Sequence, residues 1–547
     1  MALISSLNTW TLIPIAAGLY LAIYIVYYRY LHPLAKYPGP FLASLTDLWQ
    51  TYQFMTLQQP YYLTKLHEKH GPIVRYGPDK LSVTHESAIK LIYQTPARLM
   101  PKTQFYDAYG AAHPNVFGMR DEAVRREFAL ENPTYQTNQN TDQLHSIRRR
   151  HMSHGFSISY VKEMEQYMDI NVKILKEKLY SYAASGRPFD LKKALHLYVV
   201  DTLGELAFSQ SFNVQKPDDE SRAPPVKEHS LLAAVTGSWP AMTSNLKTWL
   251  PFVPHKGLQK LFQGRQACAD LASECVQARL SVLRNDEKSN DFNTAAKRKD
   301  LLTNLILAQH PETGARLTQT DLETEAFGFI IAGTHTTGAT ASLLFYHLLH
   351  DPEAMAKCVA EIKENLPSLE PEQDAYPVAQ VEASLPFLRD CMKENFRLTP
   401  VFTMPLARRI MDPKGLFIGD SHIPTGRNQT SVAVCNHAFH HNPSVWGPNH
   451  DLFDPLRWTS DTSVAEKSRL LMHFGMGGRQ CIGKTIAMSN IYKLMSTLLH
   501  EFDFDLGSEG EKMDVANGLF RGKIPEMVSV GISDLKDPLM VRVKATV

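Results

Sequence analysis

Between Phe474 and Gly483 the chain reads Phe-Gly-Met-Gly-Gly-Arg-Gln-Cys-Ile-Gly, and no other stretch restricts the fold as strongly. Its glycines interrupt any helix, whereas the apolar run that follows, Ile482 to Leu499, has helical character. Cys481 therefore stands at a turn-to-helix junction, with Arg479 two residues before it. There the positive end of a helix and the loop amides favour the ionised form of a thiol. The rest of the chain has to supply what a buried thiolate would bind.

The 547 residues, 44% hydrophobic and 21% charged, suit a globular protein with a large core. No Gly/Ser-rich linker, long charge block or internal repeat divides them, which favours one large domain. Lys and Arg number 57 against 56 Asp and Glu, so there is no electrostatic basis for binding nucleic acid. A small apolar partner fits better. The six cysteines (Cys268, Cys275, Cys358, Cys391, Cys435 and Cys481) lie in the second half without a CxxC pair. That spacing argues against a disulfide framework or a cysteine zinc site and implies a reducing compartment.

No side chain from Met1 to Tyr28 is charged, and Leu12 to Tyr28 is almost wholly apolar or aromatic. This approaches the roughly 20 residues that cross a bilayer core. A cleaved signal peptide would need a basic start and an Ala-x-Ala-like site, and both are missing, so a retained anchor over 1–30 is expected. Arg29, His32 and Lys36 follow it and place the remainder on the cytoplasmic side. Tyr37-Pro38-Gly39-Pro40 marks a stiff hinge over 31–45, and 46–547 forms the globular part.

Ile73 to Pro78 and Lys80 to Thr84 predict two strands around a Gly-Pro turn, and Lys102 to Gln143 predicts a long irregular loop. His145 opens a helix carrying Arg148, Arg149 and Arg150, and helical periodicity continues over Tyr160–Ala184 and Leu191–Phe208. Gly237 to Pro254 is expected to be an aromatic, proline-broken loop able to dip into lipid headgroups, and Arg284 to Asn293 a polar surface loop. The longest helix is expected from Thr320-Asp321 to about His350. In it Phe329, Gly333 and Thr336 share one stripe, where a glycine costs about 1 kcal/mol relative to Ala, so something should approach the backbone there. Leu385 to Arg397 places Glu394 and Arg397 on one helix face; short strands at Phe417–Ile418 and Ser431–Val434 and an irregular meander from Trp446 to Trp458 lead to the cysteine loop.

Four of these segments together resemble the cytochromes P-450, the haem-thiolate monooxygenases. They are Phe474-x-x-Gly477-x-Arg479-x-Cys481-x-Gly483, Ala332-Gly333-Thr334-His335-Thr336-Thr337, Glu394-x-x-Arg397 and Phe453-x-Pro455-x-Arg457. The resemblance covers essentially the whole chain. It implies a mainly α fold with small β-sheets behind one N-terminal transmembrane helix, and a haem b whose iron takes Cys481 as thiolate ligand. Gly477 and Gly483 would let the backbone approach the porphyrin and take positive φ. Arg479, His145, Arg149, and Arg408 or Arg409 would pair with haem propionates. Glu394, Arg397 and Arg457 would form a buried structural triad. Gly333 would open a groove beside the iron, with Thr336 at the oxygen site. His335 stands where Asp or Glu is usual and, titrating near neutrality, could move protons.

The same resemblance implies a monooxygenase that inserts one atom of O2 into a hydrophobic small molecule. It is most similar to fungal microsomal members acting on terpenoid, polyketide or aromatic metabolites. No Gly-x-Gly-x-x-Gly nucleotide motif appears, so electrons would come from an NADPH-cytochrome reductase of the endoplasmic reticulum membrane, docked on Arg148, Arg150 and Lys484. The rivals are a haem-thiolate isomerase or dehydratase working without O2, against which Gly333 and Thr336 argue, and a non-catalytic haem sensor.

Overall fold

The computed structural model describes residues 9–111, 113–120, 144–289, 298–310, 313–426, 430–460, 462, 466–519 and 524–546. Its architecture is mainly helical with small sheets. The part of the expected irregular loop from 121 to 143 lies outside the described residues. The rest contains a 3-10 turn, Gln104–Tyr109.

The uncharged N-terminus forms a helix, Thr9–Val26, that runs into a π turn, Tyr27–Leu31. Leu12 to Leu31 is apolar and long enough to cross a membrane, and none of it is buried in protein. At its base Arg75 Nη1 donates to Tyr28 O at 2.9 Å, and Tyr24 Oη donates to Leu45 O at 2.7 Å. The Pro-Gly-Pro segment is docked on the same strand, with Arg75 N donating to Pro38 O at 2.7 Å. A Cβ on Gly39 would lie 2.0 Å from Arg75 O, so only glycine fits that approach.

The two expected strands are Ile73–Gly77 and Lys80–Val83. They pair antiparallel, and the second continues in parallel with Ser431–Val434, which in turn pairs with Arg408–Arg409. An N-terminal hairpin thus joins the C-terminal half of the chain. A second sheet orders Phe189–Asp190, Met540–Ala545 and Phe502–Leu506.

Apolar residues at helical spacing form the core between these sheets. Leu191–Phe208 packs against Ile158–Ser185 and Thr336–His350, all within one buried cluster that reaches the C-terminal sheet. The helix expected to be longest is broken: Gln319–Gly333 and Thr336–His350 are separated by Thr334 and His335. The longest described helix is Lys256–Ser289, which buries Cys268, Ala272, Cys275 and Val276 along one face. It also absorbs the first part of the expected loop after Arg284, because polar residues do not by themselves end a helix. The Gly237–Pro254 segment likewise holds a helix, Thr243–Trp249, and a 3-10 turn, Leu250–Phe252. Trp249 and Phe252 there are 70% and 80% exposed.

Candidate haem and oxygen site

The cysteine loop has the conformation its glycines require. Gly475 and Gly477 have φ of +69° and +68°, and a Cβ on Gly477 would lie 2.2 Å from Tyr93 O. Gly477 therefore needs glycine for two independent reasons. Gly483 differs from expectation: its φ of −78° is open to any residue. A Cβ there would face Cys481 Sγ at 3.8 Å and Phe156 at 3.9 Å, so its bareness preserves space beside the sulfur. Cys481 N donates to Phe474 O at 2.8 Å and closes the loop. The helix that follows is Lys484–Glu501.

Cys481 opens into an apolar cavity of about 350 Å³ lined also by Phe474, Gly333, Thr336, His145, Arg149 and Arg479. Burial pushes the Cys481 thiol up, against the opposing pull of the Gly483 and Lys484 amides and the Arg149 and Lys484 charges. The helix terminus alone therefore does not offset burial, and a bound cation beside the sulfur would favour the thiolate further. Phe474 packs edge-on against Phe396 at 5.5 Å and holds the loop to the Glu394 helix, Pro386–Leu398.

On one wall the cationic groups converge. Burial, then Arg479, Lys102 and Arg149, push the His145 imidazole down to about 2. Arg149 is lowered by burial and favoured in its charged form by Cys481. Arg479 Nη1 also donates to Met119 O at 3.0 Å. Such mutually repelling donors suit an anionic group lying among them, and the propionates of a thiolate-ligated haem have that charge. Lys102 escaped the sequence reading. It lines this wall and bridges to Arg408, but nothing about a lysine at the edge of a loop distinguishes it in sequence.

Arg408 is placed differently. Its Nη1 donates to Tyr106 Oη at 2.6 Å and to Ala407 O at 3.1 Å, and it is not among the cavity-lining residues. Arg409 turns to Gln104 Oε1.

The helix break also lines the cavity. Thr336 faces the cavity, and its Oγ1 donates to Ala332 O at 2.9 Å, a carbonyl whose helical bonding the break disturbs. Gly333 lies beside it, but a Cβ there would meet Leu203 Cδ1 at 2.6 Å. The missing side chain thus admits the neighbouring helix Leu191–Phe208. His335 is buried and absent from the cavity lining. Its Nε2 lies 3.0 Å from Asp534 Oδ2. Burial pushes the Asp534 carboxyl up, but the His335 bond and the Lys192 and Lys227 charges outweigh it and hold it well below the usual range.

Glu394, Arg397 and Arg457 are brought together away from the cavity. Glu394 Oε1 accepts from Arg397 Nη2 at 2.7 Å and from Arg457 Nε at 2.9 Å; Oε2 accepts from Arg397 Nε at 3.0 Å and Trp458 Nε1 at 3.1 Å. Arg397 Nη1 donates to His440 O at 3.1 Å, and His440 Nε2 accepts from Met472 N at 3.0 Å. The triad thereby grips the segment that enters the cysteine loop. Trp458 as a fourth member was not anticipated.

Arg148 corrects the expected basic patch. It pairs with Asp321 at 2.9 Å and Glu325 at 3.1 Å and is largely buried, whereas Arg150 and Lys484 are exposed. Glu325 borders the cavity, and burial, countered by Arg148 and the Val116 amide, leaves its carboxyl raised to about 7. Both ends of this pair were hidden because ion pairing between distant segments leaves no local pattern.

A thiol, a cationic group of side chains and a threonine at a helix break meet around one apolar cavity, an arrangement that suits a haem-thiolate oxygenase. The sequence profile of the cytochrome P450 family matches residues 38–530, and the chain belongs to that family. It is similar to the cytochrome P450 monooxygenase gsfF of Penicillium aethiopicum, 28% identical over 94% of this chain and 97% of the relative. The benzoate 4-monooxygenase bphA of Aspergillus niger is 26% identical over 92% and 95%. A pisatin demethylase of Fusarium vanettenii is 26% identical over 90% and 88%. The protein is a haem-thiolate monooxygenase, and neither the isomerase nor the sensor alternative is favoured.

Proposed function

We propose that Cys481 ligates the haem, that Arg479, Arg149, His145 and Lys102 receive its propionates, and that Thr336 orients water and protons at the distal face. Arg408 supports this wall by holding Tyr106 and the strand beside Lys102. The observation that carries the proposal is that Cys481, in the loop before Lys484–Glu501, and Thr336, at the start of Thr336–His350, line one cavity. Haem held by the Cys481 thiolate would supply O2 activation, the chemistry that thiolate ligation favours. The apolar lining keeps water from the reacting centre and takes a hydrophobic substrate. His335, anchored by Asp534 next to Thr336, is the proton-relay residue of this helix break.

Electrons come from a membrane-bound NADPH-cytochrome reductase docking near Arg150 and Lys484, with 1–30 as the anchor, 31–45 as the hinge and 46–547 as the cytoplasmic domain at the endoplasmic reticulum. The protein's place is in fungal secondary metabolism, on a terpenoid, polyketide or aromatic substrate; the relatives named benzoate 4-monooxygenase and pisatin demethylase are consistent with a small organic substrate. A CO-difference spectrum of the reduced protein with the red-shifted Soret band of thiolate ligation is expected, and its loss in Cys481→Ser. Thr336→Ala and His335→Ala should consume NADPH with less product; unchanged coupling in His335→Ala would remove His335 from the mechanism.

A further inference from the structure

We propose that His441, His450 and Asp451 form a second metal site, outside the cavity that Cys481 lines, that takes a divalent transition-metal ion of the zinc type. The three residues offer ligand atoms that all lie within 4.8 Å of one another. His441 Nδ1 is 2.9 Å and His450 Nδ1 2.8 Å from the same oxygen, Asp451 Oδ1.

The proton inventory points to a cation between them. His441 Nε2 lies 2.8 Å from Leu398 O. A carbonyl only accepts, so Nε2 carries a proton and a neutral His441 presents a bare lone pair at Nδ1. His450 Nδ1 is buried without a hydrogen-bond partner, although it lies so near the carboxylate oxygen. Two ring nitrogens and one carboxylate oxygen thus crowd together with at most one hydrogen bond between them. A protonated His441 would satisfy its own contact and leave that of His450 unexplained. A metal ion satisfies all three. Imidazole nitrogen and carboxylate oxygen are zinc ligands, and a ligating histidine characteristically donates its other N–H to a backbone carbonyl, as His441 does to Leu398.

The surroundings allow entry. Asp451 has a side chain 52% exposed, leaving room for a water as fourth ligand, while His441 is fixed by stacking on His437 at 4.4 Å. The nearby Arg397 charge is taken up by Glu394. An ion here would tie the end of the short helix Asn436–His440 to residues 449–452, whose carbonyls receive the triad: Arg397 donates to His450 O and Leu452 O, and Arg457 to Asn449 O. Its occupation would therefore stiffen the segment that holds Arg397 and Arg457.

The test titrates zinc chloride into the full haem-loaded protein in detergent, by calorimetry and metal analysis, with melting measured in parallel. One zinc per chain beyond the haem iron is expected, with a melting temperature that rises on binding. His450→Ala and Asp451→Asn should each weaken binding at least about tenfold and abolish the rise, while keeping the parent CO-difference spectrum. Absence of saturable one-equivalent uptake, or uptake that both variants leave unchanged, would overturn the site.

Discussion

Arg397 shows how one side chain can be essential without touching the reaction. It is fully buried, bidentate on Glu394, and its remaining N–H groups reach the carbonyls of His440, His450 and Leu452. Removing one partner of a buried charge set costs about 3–5 kcal/mol because the other charge is left uncompensated. Arg397→Ala should therefore yield protein with little bound haem. A haem-replete variant with parental melting would contradict the structural role. The Glu-x-x-Arg spacing was visible in sequence, but it recurs by chance; Trp458 and the three carbonyls make it a cage. His335 illustrates the opposite case. Its position before Thr336 was legible, and its partner Asp534, almost two hundred residues later, was not.

At the scale of elements, two glycines that look alike in sequence have different reasons. Gly477 has positive φ and no room for a Cβ against a backbone oxygen, which cannot move independently of the chain. Gly477→Ala should destabilise the loop by about 1–3 kcal/mol or more and lower haem occupancy, read as the ratio of Soret to protein absorbance. Gly333 meets only the end of a flexible leucine, Leu203. Gly333→Ala should fold, and adding Leu203→Ala should recover melting lost in the single variant; failure of that rescue would show that the contact is not what limits the position. The break after Gly333 was not legible, since both halves have continuous apolar periodicity. The hydroxyl of Thr336 bonded to Ala332 O, together with the packing of the neighbouring helix, marks it.

For the whole molecule, buried neutral histidines set the acid limit. Burial is the main cause that pushes His229, His347 and His440 down to about 3, with nearby cationic groups adding to it. A histidine with a depressed folded pKa is neutral in the fold while the unfolded chain takes up its proton below about 6.5, so stability falls as pH drops below that value. At one pH unit below, each contributes a loss on the order of 1 kcal/mol. Melting temperature should be flat near pH 7 to 8 and decline steadily from pH 6.5 to 5; a flat profile across that range would contradict it. Uncovered apolar surface belongs to the same scale. The N-terminal helix and the exposed Trp249 and Phe252 are apolar surface that the globular core does not cover.

By itself the sequence determined the glycine-rich cysteine loop, the apolar N-terminal helix, the family and most helices, because each depends on residue types at short, fixed spacing: glycines around Cys481, uncharged residues before Arg29, apolar residues every three or four positions. What the tertiary structure alone decided is everything that depends on charge or shape meeting across the chain. It set Arg148 into a buried pair with Glu325 rather than on the surface, placed Lys102 beside His145, turned Arg408 toward Tyr106, and joined His335 to Asp534. Such contacts are specified by the packing of distant segments, which has no period and therefore leaves no local trace.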